Sequence, residues 1–167
     1  MSERVLIAYA SRHGGTAEIA ESIGSALRRS EVANVVSDVR NIDDLSAYGA
    51  VVLGSAIYAG RWRREAVSFL VKNEAALAER PVWLFSSGPT GDGDAQMLVK
   101  DWALPQKVAE VAERIHPREV KLFHGILDEE ELGLFERWIV KKVKAPLGDY
   151  RDWGAISAWG EAIAAAI

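Results

Sequence analysis

Residues 5–20 read Val5-Leu6-Ile7-Ala8-Tyr9-Ala10-Ser11-Arg12-His13-Gly14-Gly15-Thr16-Ala17-Glu18-Ile19-Ala20. Val5 to Ala10 is a short, nearly unbroken apolar run, the look of a strand buried on both faces. Two glycines and two hydroxyl residues follow. From Thr16 to Arg29 apolar residues recur at three- and four-residue spacing, as on a helix with one buried side. A buried strand that enters a helix through a glycine loop opens a parallel α/β unit, because parallel strands need crossovers.

The same grammar repeats outward from this stretch. Val5–Tyr9, Val35–Val39, Ala50–Leu53, Val82–Phe85 and Val120–Phe123 read as strands, four of them nearly continuously apolar. Thr16–Arg29, Arg63–Ala78 and Gln106–Ile115 carry helical spacing between them, so the pattern predicts strand and helix in strict alternation. A further helix is expected from about Glu129 to Val143. Leu132, Phe135, Ile139 and Val143 share its apolar face with Trp138 beside them, and Glu136, Arg137, Lys141, Lys142 and Lys144 fall on the rest, before Pro146 and Gly148 break it. The last helix is expected from about Asp152, with Trp153, Ile156, Trp159 and Ile163 as its buried stripe. No linker, repeat or low-complexity tract divides residues 1–167, so one domain is expected.

Composition bounds the chemistry. The 167 residues are 49% hydrophobic and 26% charged, enough apolar surface for a core. Twenty Lys and Arg face 24 Asp and Glu, a formal charge of −4 that offers no general hold on nucleic acid. Without cysteine there is no disulfide, no thiolate metal site and no thiol nucleophile, and no metal is expected. No apolar run approaches the roughly 20 residues of a membrane span, nor does the start resemble a secretory signal, so a cytoplasmic location is expected.

Ligands of open parallel sheets bind beyond the carboxyl ends of the strands. Three loops leave such ends. Ser11-Arg12-His13-Gly14-Gly15-Thr16 suits a phosphate, through close backbone approach, hydroxyl donors and the positive end of the next helix; it equally suits a tight turn capped by Thr16. It is neither a P-loop nor GxGxxG. The second loop, Gly54-Ser55-Ala56-Ile57-Tyr58-Ala59-Gly60-Arg61-Trp62, runs on to Arg63 and Arg64. The third is Ser86-Ser87-Gly88-Pro89-Thr90-Gly91-Asp92-Gly93.

These loops resemble those of the flavodoxin-like proteins. Ser11–Thr16 is similar to their Thr/Ser-x-Thr-Gly-x-Thr loop, with His13 where a hydroxyl residue is usual. Ser55, Ala56, Ile57, Tyr58, Ala59 and Gly60 match the first flavin-ring loop, and Ser86, Ser87, Gly88, Pro89, Thr90 and Gly91 the second. The resemblance implies an α/β, flavodoxin-like three-layer doubly wound sandwich with a five-stranded parallel sheet of order 2-1-3-4-5. It also implies FMN as cofactor, its phosphate on Ser11, Arg12, His13, Gly14, Gly15 and Thr16. Within the family, residues 6–20, Val51–Gly60, Phe135–Lys141 and Asp152-Trp153 resemble the menaquinone-dependent protoporphyrinogen oxidases. Here the ring loop Ile57-Tyr58-Ala59-Gly60 has no arginine before its glycine.

That closer resemblance implies an FMN-dependent oxidoreductase that passes electrons from a porphyrinogen to a quinone. The alternatives are a non-catalytic carrier serving redox proteins, or a flavin-free interaction module of the same fold. A phosphoryl-receiver domain would need acidic residues where Tyr9-Ala10-Ser11-Arg12 stands. Tyr58 is the candidate to stack on the flavin, or else anchors its own loop. Arg61, Arg63 and Arg64 form either a solvated helix face or a cationic rim that holds propionates and favours reduced flavin. The helix over Leu132–Lys144 either packs on the sheet or lies on an anionic membrane, where each basic residue adds about 1 kcal/mol. Homo-oligomers are open. No residue is assigned as a catalytic base.

Overall fold

A computed structural model describes residues 4–58, 60–91, 103–128, 132–143 and 146–167. β1 (Val5–Ala10), β2 (Asn34–Asp38), β3 (Ala50–Tyr58), β5 (Val82–Ser87) and β6 (Glu119–Phe123) form a parallel sheet in the spatial order β2-β1-β3-β5-β6. A two-residue strand, β4 (Arg61–Trp62), turns back antiparallel onto the end of β3. Counting the five parallel strands alone, the order is the expected 2-1-3-4-5.

Alternation along β1 explains the layers. Val5 and Ile7 point to one face, where α1 (Gly15–Arg29) and the last helix, α6 (Trp153–Ala165), supply Ile19, Ile23, Leu27, Ile156, Trp159 and Ile163. Leu6 and Ala8 point to the other, against α2 (Arg64–Lys72), α3 (Glu74–Ala78) and α4 (Gln106–Ile115). Phe85, Phe123 and Trp159 meet edge to face at centroid distances of 5.4–6.0 Å. Gly54 makes room for this cluster: a Cβ there would lie 2.0 Å from the Phe85 ring. Gly160 likewise lets α6 lie close on α1, where a Cβ would come within 2.6 Å of Ala26.

Several expectations need correction. Strand and helix do not alternate strictly, because β2 leads to β3 through a single 3-10 turn, Val39–Asn41, in which the Asp38 carboxylate accepts from Arg40 N at 2.8 Å. The helix expected over Arg63–Ala78 is two, parted at Asn73, whose side chain donates to Phe69 O at 2.8 Å and competes with the helical ladder. β3 and β5 run past their expected ends, since Ser55↔Ser86 and Ala56↔Ser87 continue the pairing. Trp153 is 40% exposed as the first residue of α6, with the Arg151 guanidinium 4.6 Å from its ring centroid.

Between β6 and α6 the chain makes an excursion. A two-strand ribbon, β7 (Ile126–Leu127) with β8 (Gly148–Asp149), brackets α5 (Leu134–Val143). Of its expected apolar face only the Leu132 side chain is described, and it is buried. Glu129, at the expected helix start, and Lys144 lie outside the described residues. Among the described residues, no helix is long and apolar enough to cross a membrane.

Candidate functional site

The Ser11–Thr16 loop is a turn built on itself. Ser11 Oγ accepts from Gly14 N at 2.9 Å, and Gly14, at φ 86°, takes the left-handed conformation that glycine adopts without strain. No side chain caps α1, so its first-turn N–H groups, among them those of Gly15 and Thr16, are left at the cleft. Thr16 is buried, and its Oγ1 lies 2.9 Å from Ser87 Oγ at the end of β5.

Opposite, the cleft is bordered by Ala56, Ile57 and Tyr58 at the end of β3 and by Ser87 and Gly88 after β5. Backbones crowd here: a Cβ on Gly88 would lie 2.9 Å from Ile57 Cβ, and one on Gly125 would lie 2.9 Å from Gly88. Gly125 N donates to Pro89 O at 2.8 Å, and Gly88 N to Phe123 O at 3.3 Å, which holds the third loop against the end of β6. The Arg12 guanidinium stands 5.6 Å from the Tyr58 ring centroid.

Not every expected site residue reaches the cleft. Ser55 and Ser86 are buried in the sheet; Ser55 Oγ donates to Ala56 O and accepts from Arg63 N, while Ser86 Oγ accepts from Trp62 Nε1 at 2.8 Å. Trp62 is therefore a core anchor of the β3–β4 hairpin. Gly14, Gly60, Pro89, Thr90 and Gly91 support the loops without lining the cleft, and Ala59, Asp92 and Gly93 lie outside the described residues. Of the three clustered arginines only Arg63 lines it, its Nε buried without a hydrogen bond and 3.4 Å from a Glu65 carboxylate oxygen; Arg61 and Arg64 are exposed.

The remaining wall comes from the excursion, through Ile126, Leu127, Leu132, Glu136 and Val140. Glu136, expected on the solvated side of its helix, is instead 4% exposed. Its Oε1 lies 2.9 Å from Arg12 Nη2 and accepts more distantly, at 3.5 Å, from Gly133 N; its Oε2 lies 2.9 Å from His13 Nε2. Burial pushes this carboxyl's pKa up, but the His13 hydrogen bond and the charges of His13 and Arg12 outweigh it and hold it below its ordinary value. Arg151, also missed, sits nearly buried at the foot of the excursion. It donates to Gly15 O and Glu18 at 3.2 Å each, and through two nitrogens to Asp149 at 2.7 and 2.9 Å.

Five parallel strands, a glycine turn at a helix start and loops converging where the strand order reverses define a doubly wound nucleotide-binding α/β domain of the flavodoxin type. Residues 6–153 match the family model of the flavodoxin domain, and the chain belongs to that family. Flavodoxin domains bind FMN. Among solved structures, Flavodoxin 2 from Bacillus cereus in its oxidised form is similar at 25% identity and a TM-score of 0.63, over 98% of this chain and 99% of that one. A flavodoxin from the domain Archaea gives 14% identity and 0.63, over 98% and 97%. Rubredoxin oxygen:oxidoreductase from Desulfovibrio gigas gives 14% and 0.64 over 99% of this chain, which spans only 36% of that one. No curated protein matches the sequence. The finer likeness to protoporphyrinogen oxidases has no support in these comparisons.

The residues present fit FMN. A turn that a side chain at Gly14 would strain, an uncapped helix start, the cation of Arg12 and the hydroxyl of Ser11 are the groups that would donate to a phosphate, with the buried Thr16–Ser87 hydroxyl pair behind them. Crowded backbone at Ile57 and Gly88 borders the side where a flat ring would lie.

Proposed function

We propose that the chain binds FMN in this cleft and passes electrons between redox partners as a flavodoxin-type carrier. The observation that carries this reading is the meeting of the uncapped α1 start with the ends of β3 and β5 around one cleft. In it the N–H groups of α1's first turn hold the phosphate, Arg12 balances its charge, and the backbone of Ala56–Tyr58 and Ser87–Gly88 orients the ring. Bound FMN supplies the electron-transfer chemistry, and the protein sets its position and electrostatics. An absorbance spectrum before and after addition of FMN, followed by stepwise anaerobic reduction, tests this. Bound flavin reduced in two separate one-electron stages supports the carrier. No binding with FMN in excess refutes it and leaves an interaction module.

The second reading is the oxidase that passes electrons from a porphyrinogen through FMN to a quinone, and one surface favours it. Leu134 and Trp138, four residues apart on α5, are 87% and 56% exposed, and Lys142 Nζ lies 4.8 Å from the Trp138 ring centroid. An apolar stripe flanked by Lys141 and Lys142 suits an anionic bilayer, the medium of quinones. Reduction in a single stage, turnover of protoporphyrinogen with a menaquinone analogue, and cosedimentation with anionic vesicles that Lys141→Glu/Lys142→Glu abolishes would support it.

A further inference from the structure

Arg12 and His13 are the two side chains of the Ser11–Thr16 loop able to carry positive charge, and both are engaged by one carboxylate from a segment more than a hundred residues away. We infer that Glu136 is an internal competitor for the flavin phosphate: it sets the preference of the site between phosphorylated and unphosphorylated flavins and makes loading with FMN depend on displacement of the α5 strap. The inference rests on the FMN reading above.

A phosphate monoester carries about −1.5 to −2 charges at pH 7. Brought to the same Arg12 and His13, it would face the Glu136 carboxylate at short range in a partly dry cleft, where like charges repel strongly. Glu136 must therefore withdraw when a phosphate takes these partners. At 4% exposure, in the first turn of α5 beside the buried Leu132 and with Val140 on the same wall, its carboxylate has little room to turn away while α5 stays in place.

The α5 strap lies between β7 and β8 in the chain. It leaves and rejoins the domain through the short β7–β8 ribbon, and Arg151 fixes the foot of that ribbon to Gly15 O. Outward displacement of α5 breaks the contacts of Glu136 and leaves the Arg151 anchor in place. Riboflavin, which has no phosphate, leaves Glu136 on Arg12 and His13.

The test is a fluorescence titration of the full chain with FMN and with riboflavin, for the unaltered protein and for Glu136→Gln, which keeps shape and removes charge. The expected result is that Glu136→Gln tightens FMN about tenfold or more while riboflavin affinity changes less than twofold. FMN affinity unchanged or weakened by Glu136→Gln overturns the inference and leaves the carrier reading standing. Failure of both flavins to bind either protein overturns the carrier reading and the inference together. Amide hydrogen exchange of the unaltered protein gives a readout that needs no variant. FMN is expected to speed exchange across residues 132–143 several-fold and riboflavin is not; equal exchange with both ligands overturns the inference.

Discussion

Thr16 Oγ1 and Ser87 Oγ lie 2.9 Å apart in a buried pair that ties the turn after β1 to the end of β5. Under the FMN reading, this contact keeps the turn proposed to hold the phosphate in register with the loop proposed to border the ring. Thr16→Val keeps the shape and leaves Ser87 without its partner, at a cost of about 1–3 kcal/mol. Urea unfolding should show that loss, and FMN affinity should fall further than in a Ser87→Ala variant, because Thr16 also lies at the helix start.

Gly14 has open space where a Cβ would stand but sits at φ 86°. Strain, not a clash, is therefore what a side chain would meet there. Gly14→Val should destabilise the turn by about 1–3 kcal/mol while circular dichroism keeps its native form. Flavin affinity should drop by more than tenfold, since the turn aims the first N–H groups of α1. Full retention of flavin would show that the phosphate is held elsewhere.

Gly54 presents the opposite case. A Cβ on it would fall 2.0 Å from the Phe85 ring, which itself packs on Phe123 and Trp159. Gly54→Ala should displace the ring and cost about 1–3 kcal/mol by overpacking. Thermal unfolding is the measurement, and Phe85→Leu in the same chain should recover part of the loss, whereas Phe85→Leu alone should destabilise.

Legibility followed the range of the interaction. The strand–turn–helix of residues 5–29 and the helix Gln106–Ile115 were readable because their patterns are local and periodic. The break at Asn73 was hidden, since it depends on which way one side chain amide turns. Glu136 was misread because it stands in the charged run Glu136-Arg137…Lys141-Lys142, while its partners are the loop residues Arg12 and His13. One signal was available: Gly133-x-x-Glu136 has the spacing at which a first-turn glutamate reaches back to the helix start. Arg151 gave no such sign, because its partners on α1 come only from the tertiary fold.

Acid should loosen the foot of the excursion. The two-pronged hydrogen bond from Arg151 holds the Asp149 carboxyl below its ordinary value, against the opposing effect of burial. A depressed folded-state pKa stabilises fully above the unfolded value of about 3.9, and that stabilisation is lost as pH falls through the lower folded value. The difference in Tm between the unaltered protein and Asp149→Asn should therefore be constant from pH 7 to about 5 and shrink below about 4. A difference independent of pH down to acid unfolding would mean that the carboxylate charge contributes nothing.

Arg63 offers a test of the cleft's electrostatics. It lines the cleft, and its guanidinium is only loosely paired, at 3.4 Å, with Glu65. A cation at this place favours whichever state of a bound flavin carries more negative charge, so it favours the reduced form. Arg63→Gln removes the charge and keeps most of the side chain volume. The potential of the one-electron stage that forms the more negatively charged flavin should become more negative by tens of millivolts, about 59 mV for each tenfold change in a one-electron equilibrium. Arg64→Gln, exposed and away from the cleft wall, should shift it far less. Equal shifts in the two variants would mean that the net charge of the domain, rather than the position of Arg63, sets the potential.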